Sequence, residues 1–141
     1  MVALIDTDVL IDALVRREPF DKEAREILEK CYEKTITGFV AAHSFTNMFY
    51  ILRKVYSIDE MKQLLLNLSK IVNIVKIDEL LIVNSLKNSL FSDVEDCLQA
   101  ECARIVNADY IVTRNATDFK NSVVSAISPS DFLNFVNSAN G

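Results

Sequence analysis

Three groups of oxygen-bearing side chains stand where an α/β chain would bring them together. Asp6 directly follows the apolar run Val2-Ala3-Leu4-Ile5, and Asp8 comes two residues later. Asp93-Val94-Glu95-Asp96 stands where a helix should begin. Thr113-Arg114-Asn115 follows the short apolar run Tyr110-Ile111-Val112, with Asp118 close behind. In an open parallel sheet, ligands collect outside the carboxyl ends of the strands, so two such ends bearing carboxylate and amide oxygens predict one crevice. Carboxylates gathered from distant segments repel one another unless a cation lies between them. Hard oxygen donors select Mg²⁺ or Mn²⁺, and a carboxylate-held metal commonly handles phosphates.

Each residue also has a plainer reading. Asp6 and Asp8 could cap the helix expected over residues 9–15, although a fully apolar strand before Asp6 favours a ligand there. Asp93 and Asp96 are three apart and share a helix face with Ala100 and Ala103. A stripe of acid followed by alanine lets a helix lie close to a sheet while its acids face the crevice. Acids in a first turn also answer the helix dipole. That account suits Glu95, read as the capping-box partner of Ser92, better than it suits Asp96, which precedes the apolar Cys97-Leu98. Asn115 and Asp118 fit a helix cap with an acid at its third position, but the strand before them makes Asn115 a neighbour of Asp6. His43, the one histidine, follows an apolar stretch and reads as structural.

Positioning these groups requires alternating strands and helices. Residues 2–5 predict the first strand and Val9 to Val15 a short helix. Pro19-Phe20-Asp21 opens a helix on which Ala24, Ile27, Leu28 and Cys31 recur at helical spacing. Thr35 to Thr37 predicts a short strand with Gly38 at the bend. A helix over 41–55 carries Phe45, Met48, Phe49 and Leu52 on one face, and Ser57 with Glu60 forms a capping box for a helix to about Lys70. Residues 71–77 predict a third strand, and Asp78 caps a helix to about Leu90. Ser92 and Glu95 predict a helix from Asp93 to about Val106. Strands over 110–112 and 123–127 follow, and Ser128-Pro129 opens a short last helix over 132–136. The expected architecture is a three-layer α/β/α sandwich around a mainly parallel sheet of four to five strands, one domain over residues 1–141.

Composition narrows the function. Half of the 141 residues are hydrophobic, yet no run approaches the roughly eighteen apolar residues of a membrane span. No signal-peptide pattern opens the chain, so a cytoplasmic location without membrane attachment is expected. The three cysteines form no CxxC pair and read as buried reduced thiols. A net charge of −5 argues against coating nucleic acid by bulk attraction, though not against local grip on phosphates. Two glycines exclude a Gly-rich phosphate loop. One histidine and no GxSxG motif leave no serine-hydrolase triad.

The segments Leu4-Ile5-Asp6-Thr7-Asp8-Val9-Leu10, Asp93 to Ala100, and Ala108 to Asn115 with Asp118-Phe119 together resemble the PIN-domain family, over nearly the whole length. That family comprises metal-dependent ribonucleases, many of them toxins of toxin–antitoxin pairs. The resemblance implies Mg²⁺ or Mn²⁺ held by an acidic cluster, with Asp6 as the first carboxylate and Asp96 as the third. Asn47 stands where the family has its second acid, on the helix after the second strand, and Asn115 at the fourth. Each amide removes a negative charge that Asp8, Asp93 and Asp118 restore. Asp6, Asp96, Asp93 and Asp118 are thus the candidate metal ligands, and Asn115 and Thr113 further catalytic candidates. Asp8, Asn47 and Arg114 are candidates for touching the metal or the RNA directly, Arg114 through a neighbouring phosphate.

The expected activity is hydrolysis of RNA phosphodiesters. One alternative is a PIN-like fold with weakened catalysis serving as a nucleic-acid-binding or regulatory module. Another is a haloacid-dehalogenase-like phosphatase, in which the first Asp of Asp6-Thr7-Asp8 would be a nucleophile. The expected partners are RNA, an antitoxin protein and a second copy of the chain. The segment from Ala41 to Lys70 carries Tyr50 and Ile51 off the apolar stripe of its helix, and Leu64, Leu65, Leu66 and Leu68 beyond it. This is either a helix buried on two sides, or an apolar surface that closes a homodimer or receives an antitoxin segment.

Overall fold

The computed structural model describes residues 1–140, and Gly141 lies outside them. Strand β1 (Val2–Ile5) is followed by helix α1 (Thr7–Leu14) and helix α2 (Asp21–Tyr32). Strand β2 (Thr37–Ala41), helices α3 (Ala42–Leu52) and α4 (Ile58–Ser69), strand β3 (Asn73–Val75) and helix α5 (Glu79–Lys87) come next. Helix α6 (Val94–Ile105), strand β4 (Tyr110–Val112), a 3-10 turn over Ala116–Phe119, strand β5 (Ala126–Ile127) and helix α7 (Pro129–Asn140) complete the described chain. The sheet has order β3-β2-β1-β4-β5, and every neighbouring pair is parallel.

The strand side chains divide the molecule into layers. Ala3 and Ile5 of β1 join a core with Val9, Ile27, Met48, Met61 and Phe132, which come from α1, α2, α3, α4 and α7. Leu4, between them in sequence, faces the other way and joins Leu81 of α5 and Ala100 and Ala103 of α6. Successive strand side chains point to opposite faces, so an unbroken apolar run is what a strand covered on both sides requires. The expected three-layer α/β/α sandwich is the architecture observed. No helix of the described residues is long and apolar enough to cross a membrane.

Several boundaries differ from the sequence reading. The second strand lies at Thr37–Ala41 rather than Thr35 to Thr37, and Gly38 is inside it, not at a bend. A Cβ on Gly38 would meet Cys31 Sγ at 2.8 Å and Ile5 Cδ1 at 3.3 Å, so the glycine serves the close approach of α2 to the sheet. The third strand shrinks to Asn73–Val75 and the fifth to Ala126–Ile127, both at sheet edges where one ladder ends. The last helix is longer than expected, because Phe132, Leu133 and Val136 bury against the sheet and extend it past its first turn. All three cysteines are free and buried as expected, and burial pushes the Cys31 thiol up to about 12.

Candidate metal centre

Register places the first two groups side by side. Ile5 of β1 pairs with Val112 of β4, so Asp6 and Thr113 emerge together at the carboxyl edge, where the Asp6 N–H donates to Val112 O at 3.0 Å. This edge lies beside β1, where the chain order turns from β2 on one side to β4 on the other, the switch point at which open α/β sheets bind ligands. Asp6 is also the N-cap of α1: its Oδ1 accepts from Thr7 N at 2.8 Å. The cap and ligand readings therefore describe one side chain. Its Oδ2 accepts from the Thr113 hydroxyl at 2.8 Å, and that hydroxyl in turn accepts from Asn115 N at 3.0 Å. Thr113 is 1% exposed, so it orients Asp6 from below rather than touching a substrate. Burial, with the charges of Asp8 and Glu95 adding to it, raises the Asp6 carboxyl to about 6 against the lowering effect of its hydrogen bonds.

Helix α6 brings the third group across. Here the structure corrects the sequence reading: the N-cap is Asp93, whose Oδ1 accepts from Asp96 N at 3.1 Å, and not Ser92. With the cap supplied by Asp93, Glu95 is not a capping-box partner. Its Oε1 accepts instead from Asn47 Nδ2 on α3 at 2.8 Å, a contact 48 residues distant in sequence. Asp96 is raised to about 6, first by desolvation and then by repulsion from Asp93, Asp118, Asp6 and Glu95.

The cleft between these elements measures about 490 Å³. The expected residues Asp6, Asp8, Asp93, Asp96, Asn115 and Asp118 all line it, and so does Asn47. Asn115 Nδ2 donates to Asp8 Oδ2 at 3.3 Å. Glu95, Tyr50 and Ile51 line it too, although the sequence reading gave none of them to the site. For Glu95 the signal was present, since an acid one residue before Asp96 on a first turn belongs to the same helix end. The competing Ser92 cap concealed it.

Arg114 does not line this cleft. Its Nε donates to Asp12 Oδ2 at 2.7 Å and its Nη2 to Oδ1 at 3.2 Å, while its guanidinium stacks 4.1 Å from the Phe20 ring centroid. Asp12 is 1% exposed. Arg114 therefore ties the turn after β4 to α1 and compensates a buried charge, which occupies the group that was expected to reach a phosphate. Beneath the cleft, the Thr7 hydroxyl donates to Ser44 Oγ at 2.8 Å, and Gln99 Nε2 donates to both oxygens at 3.2 and 3.0 Å. All three residues are buried, and their network ties the first turns of α1 and α3 to the middle of α6. Sequence reasoning missed it because its members lie in three separate helices. His43 Nε2 lies 3.9 Å from Glu95 Oε1, and neither His43 ring nitrogen has a hydrogen-bond partner among the described residues. Burial, partly offset by Glu95, lowers its pKa, in keeping with a neutral structural role.

The donor set suits a hard divalent cation. Every polar side chain lining the cleft offers oxygen, and no Lys or Arg lies among them. Asp6 and Asp96 are both raised to about 6, by burial first and by repulsion from neighbouring acids after it. No three acidic, His or Cys side chains among the described residues converge as a ready-made coordination sphere. The acids are gathered around one space but held apart.

Residues 2–117 match the family model described as "PIN domain". The chain belongs to the PIN-domain family. No curated protein matches the sequence. Among solved structures, VapBC2 from Rickettsia felis, bound to a DNA fragment from its promoter, matches with TM-score 0.64 and 18% identity over 91% of this chain and 98% of that one. A toxin–antitoxin complex from Klebsiella pneumoniae matches with TM-score 0.66 and 20% identity over 90% and 97%. VapBC-1 from nontypeable Haemophilus influenzae matches with TM-score 0.67 and 15% identity over 92% and 99%. At these identities the likeness is one of fold, and it covers about nine-tenths of this PIN domain.

Proposed function

We propose that this PIN domain is a Mg²⁺- or Mn²⁺-dependent endoribonuclease, the toxin of a toxin–antitoxin pair acting in the cytoplasm. The observation that carries the reading is the pairing of Asp6 and Asp96. Two carboxyls from opposite ends of the chain, both raised to about 6, face one cleft at the carboxyl edge of a parallel sheet. Asp6 and Asp96 would hold the metal, with Asp93, Asp118 and Asp8 supplying further negative charge. A bound divalent cation supplies a more acidic water and neutralises charge developing on a phosphate. The protein's own part is positional. Thr113 fixes the Asp6 carboxylate, Asn115 holds Asp8, and the Thr7–Ser44–Gln99 network holds α1, α3 and α6 in register.

The amides at Asn47 and Asn115 favour a second reading, a PIN domain of weak catalytic power that binds nucleic acid. The phosphatase reading loses ground because the cleft is lined by no lysine. Partnership with an antitoxin is supported by the solved toxin–antitoxin complexes of like fold. It is supported also by an apolar groove of about 400 Å³ among Leu14, Leu28, Tyr32, Leu64, Leu68 and Ile71. Self-association is supported by Tyr50 and Ile51, exposed by 59% and 37% on α3.

The deciding experiment is incubation of the purified protein with end-labelled RNA in Mn²⁺, in Mg²⁺ and in EDTA, alongside Asp6→Asn and Asp96→Asn. Cleavage in metal that both variants and EDTA abolish is the expected result. Retention of RNA without cleavage would select the binding module. Equal cleavage by the variants would remove Asp6 and Asp96 from the site.

A further inference from the structure

The acid missing from α3 has a substitute on α6. We propose that Glu95 completes the metal-binding cluster, and that Asn47 is a positioning residue whose side-chain amide holds the Glu95 carboxylate at the cleft. This rests on the metal-centre reading above and adds to it a ligand and the residue that places it.

Geometry supports the assignment on three counts. Glu95 and Asn47 both line the cleft, and the 2.8 Å hydrogen bond from Asn47 Nδ2 to Glu95 Oε1 joins the two helices across it. The side chain of Glu95 is half exposed, and an exposed glutamate on a helix ordinarily samples many rotamers. A specific long-range partner is what singles one out. Second, α6 has no need of Glu95 as a cap, because Asp93 fills that role. Third, Asn47 engages Oε1 and leaves the second carboxylate oxygen to a cation.

The identity of residue 47 follows from the same contact. An amide can donate to Glu95, whereas a carboxylate at that distance would repel it. Asn47 thus permits an acid from α6 to enter the space beside α3. The negative charge expected on α3 is transferred to α6 rather than lost, and the Glu95 charge acts on both Asp6 and Asp96.

The test is calorimetric titration of the full chain with Mn²⁺ in wild type, Asp6→Asn, Glu95→Gln, Asn47→Ala and the swap Asn47→Glu/Glu95→Gln. Circular dichroism of each variant reports folding. Glu95→Gln keeps size and hydrogen bonding but removes the charge, and its Kd should rise about tenfold or more. Asn47→Ala leaves the acid but frees it, so its Kd should rise by a smaller factor than that of Glu95→Gln. The swap restores an acid–amide pair with its members exchanged, and should recover most of the Glu95→Gln loss. Unchanged affinity in Glu95→Gln, with binding abolished in Asp6→Asn, would overturn the Glu95 assignment and leave the metal centre standing. Unchanged affinity in Asn47→Ala, or a swap no better than Glu95→Gln, would overturn the positioning role. Failure of the wild type to bind Mn²⁺ would overturn the metal centre and this inference together.

Discussion

Asp6 serves two ends that pull against each other. As N-cap of α1 it stabilises the fold whether charged or replaced by asparagine, since both residues cap well. As a buried carboxyl among other acids it resists ionisation, and its pKa rises from 3.8 to about 6. The unfolded chain releases this proton near pH 4 and the folded one only near pH 6. Over that interval the native state binds more protons, so this group's contribution to stability falls as pH rises from about 4 through about 6. Asp96 works in the same direction. Asp6→Asn should therefore melt higher than wild type at pH 7 in EDTA, and the difference should vanish near pH 4. Thermal melts across pH 4–8 check this, and a lower Tm for the variant at pH 7 would contradict it. Mn²⁺ needs both carboxylates ionised, so binding at pH 6 should release protons. Titrations in buffers of different ionisation enthalpy measure that release.

Two contacts between elements decide how firmly the site's scaffold is held. Gly38 lets α2 approach β2, and a methyl there meets Cys31 Sγ at 2.8 Å. Gly38→Ala should cost about 1–3 kcal/mol by overpacking, and adding Cys31→Ala should recover part of it by removing the opposing sulfur. Urea unfolding of the single and double variants reads both effects. The second contact is the two-pronged grip of Arg114 on Asp12, helped by Arg17 at 3.5 Å. Arg114→Met would leave a buried carboxylate poorly compensated, at a cost of about 3–5 kcal/mol. Asp12→Asn in the same chain should relieve much of that loss. A phosphate-contacting role for Arg114 would instead show as weaker RNA binding with unchanged urea stability.

At the scale of the molecule, an acidic chain of net charge −5 must hold RNA through a few local contacts, and its binding should depend only shallowly on salt. Tyr50 and Ile51 lie on the rim of the acidic cleft, and the Arg53 guanidinium sits 3.9 Å from the Tyr50 ring centroid. Association through this face would place a second copy beside the acidic cleft. Light scattering at micromolar concentration should show a dimer, and Tyr50→Glu with Ile51→Lys should yield a folded monomer. A monomeric wild type would remove the dimer.

Local order and apolar pattern determined most of the fold. The run Val2 to Ile5 could be satisfied only by a strand covered on both faces, and the spacing of Ala24, Ile27 and Cys31 only by a helix with one buried side. That Asp6 and Asp96 would meet at one cleft was legible because one stands at the carboxyl end of a buried strand and the other beside a buried helical stripe. Contacts between distant segments were beyond the reach of that logic. Ser92 and Asp93 are both good caps, and the choice of Asp93 is made by how α6 docks. That choice released Glu95 to Asn47, 48 residues away. Arg114 likewise follows Thr113 in sequence whichever way it turns, and only the packing of α1 against the β4 edge brought buried Asp12 within its reach. Sequence period sets which face of an element is buried, while the partners of a polar side chain are set by tertiary packing, because desolvation makes each such group take whichever partner the fold brings near.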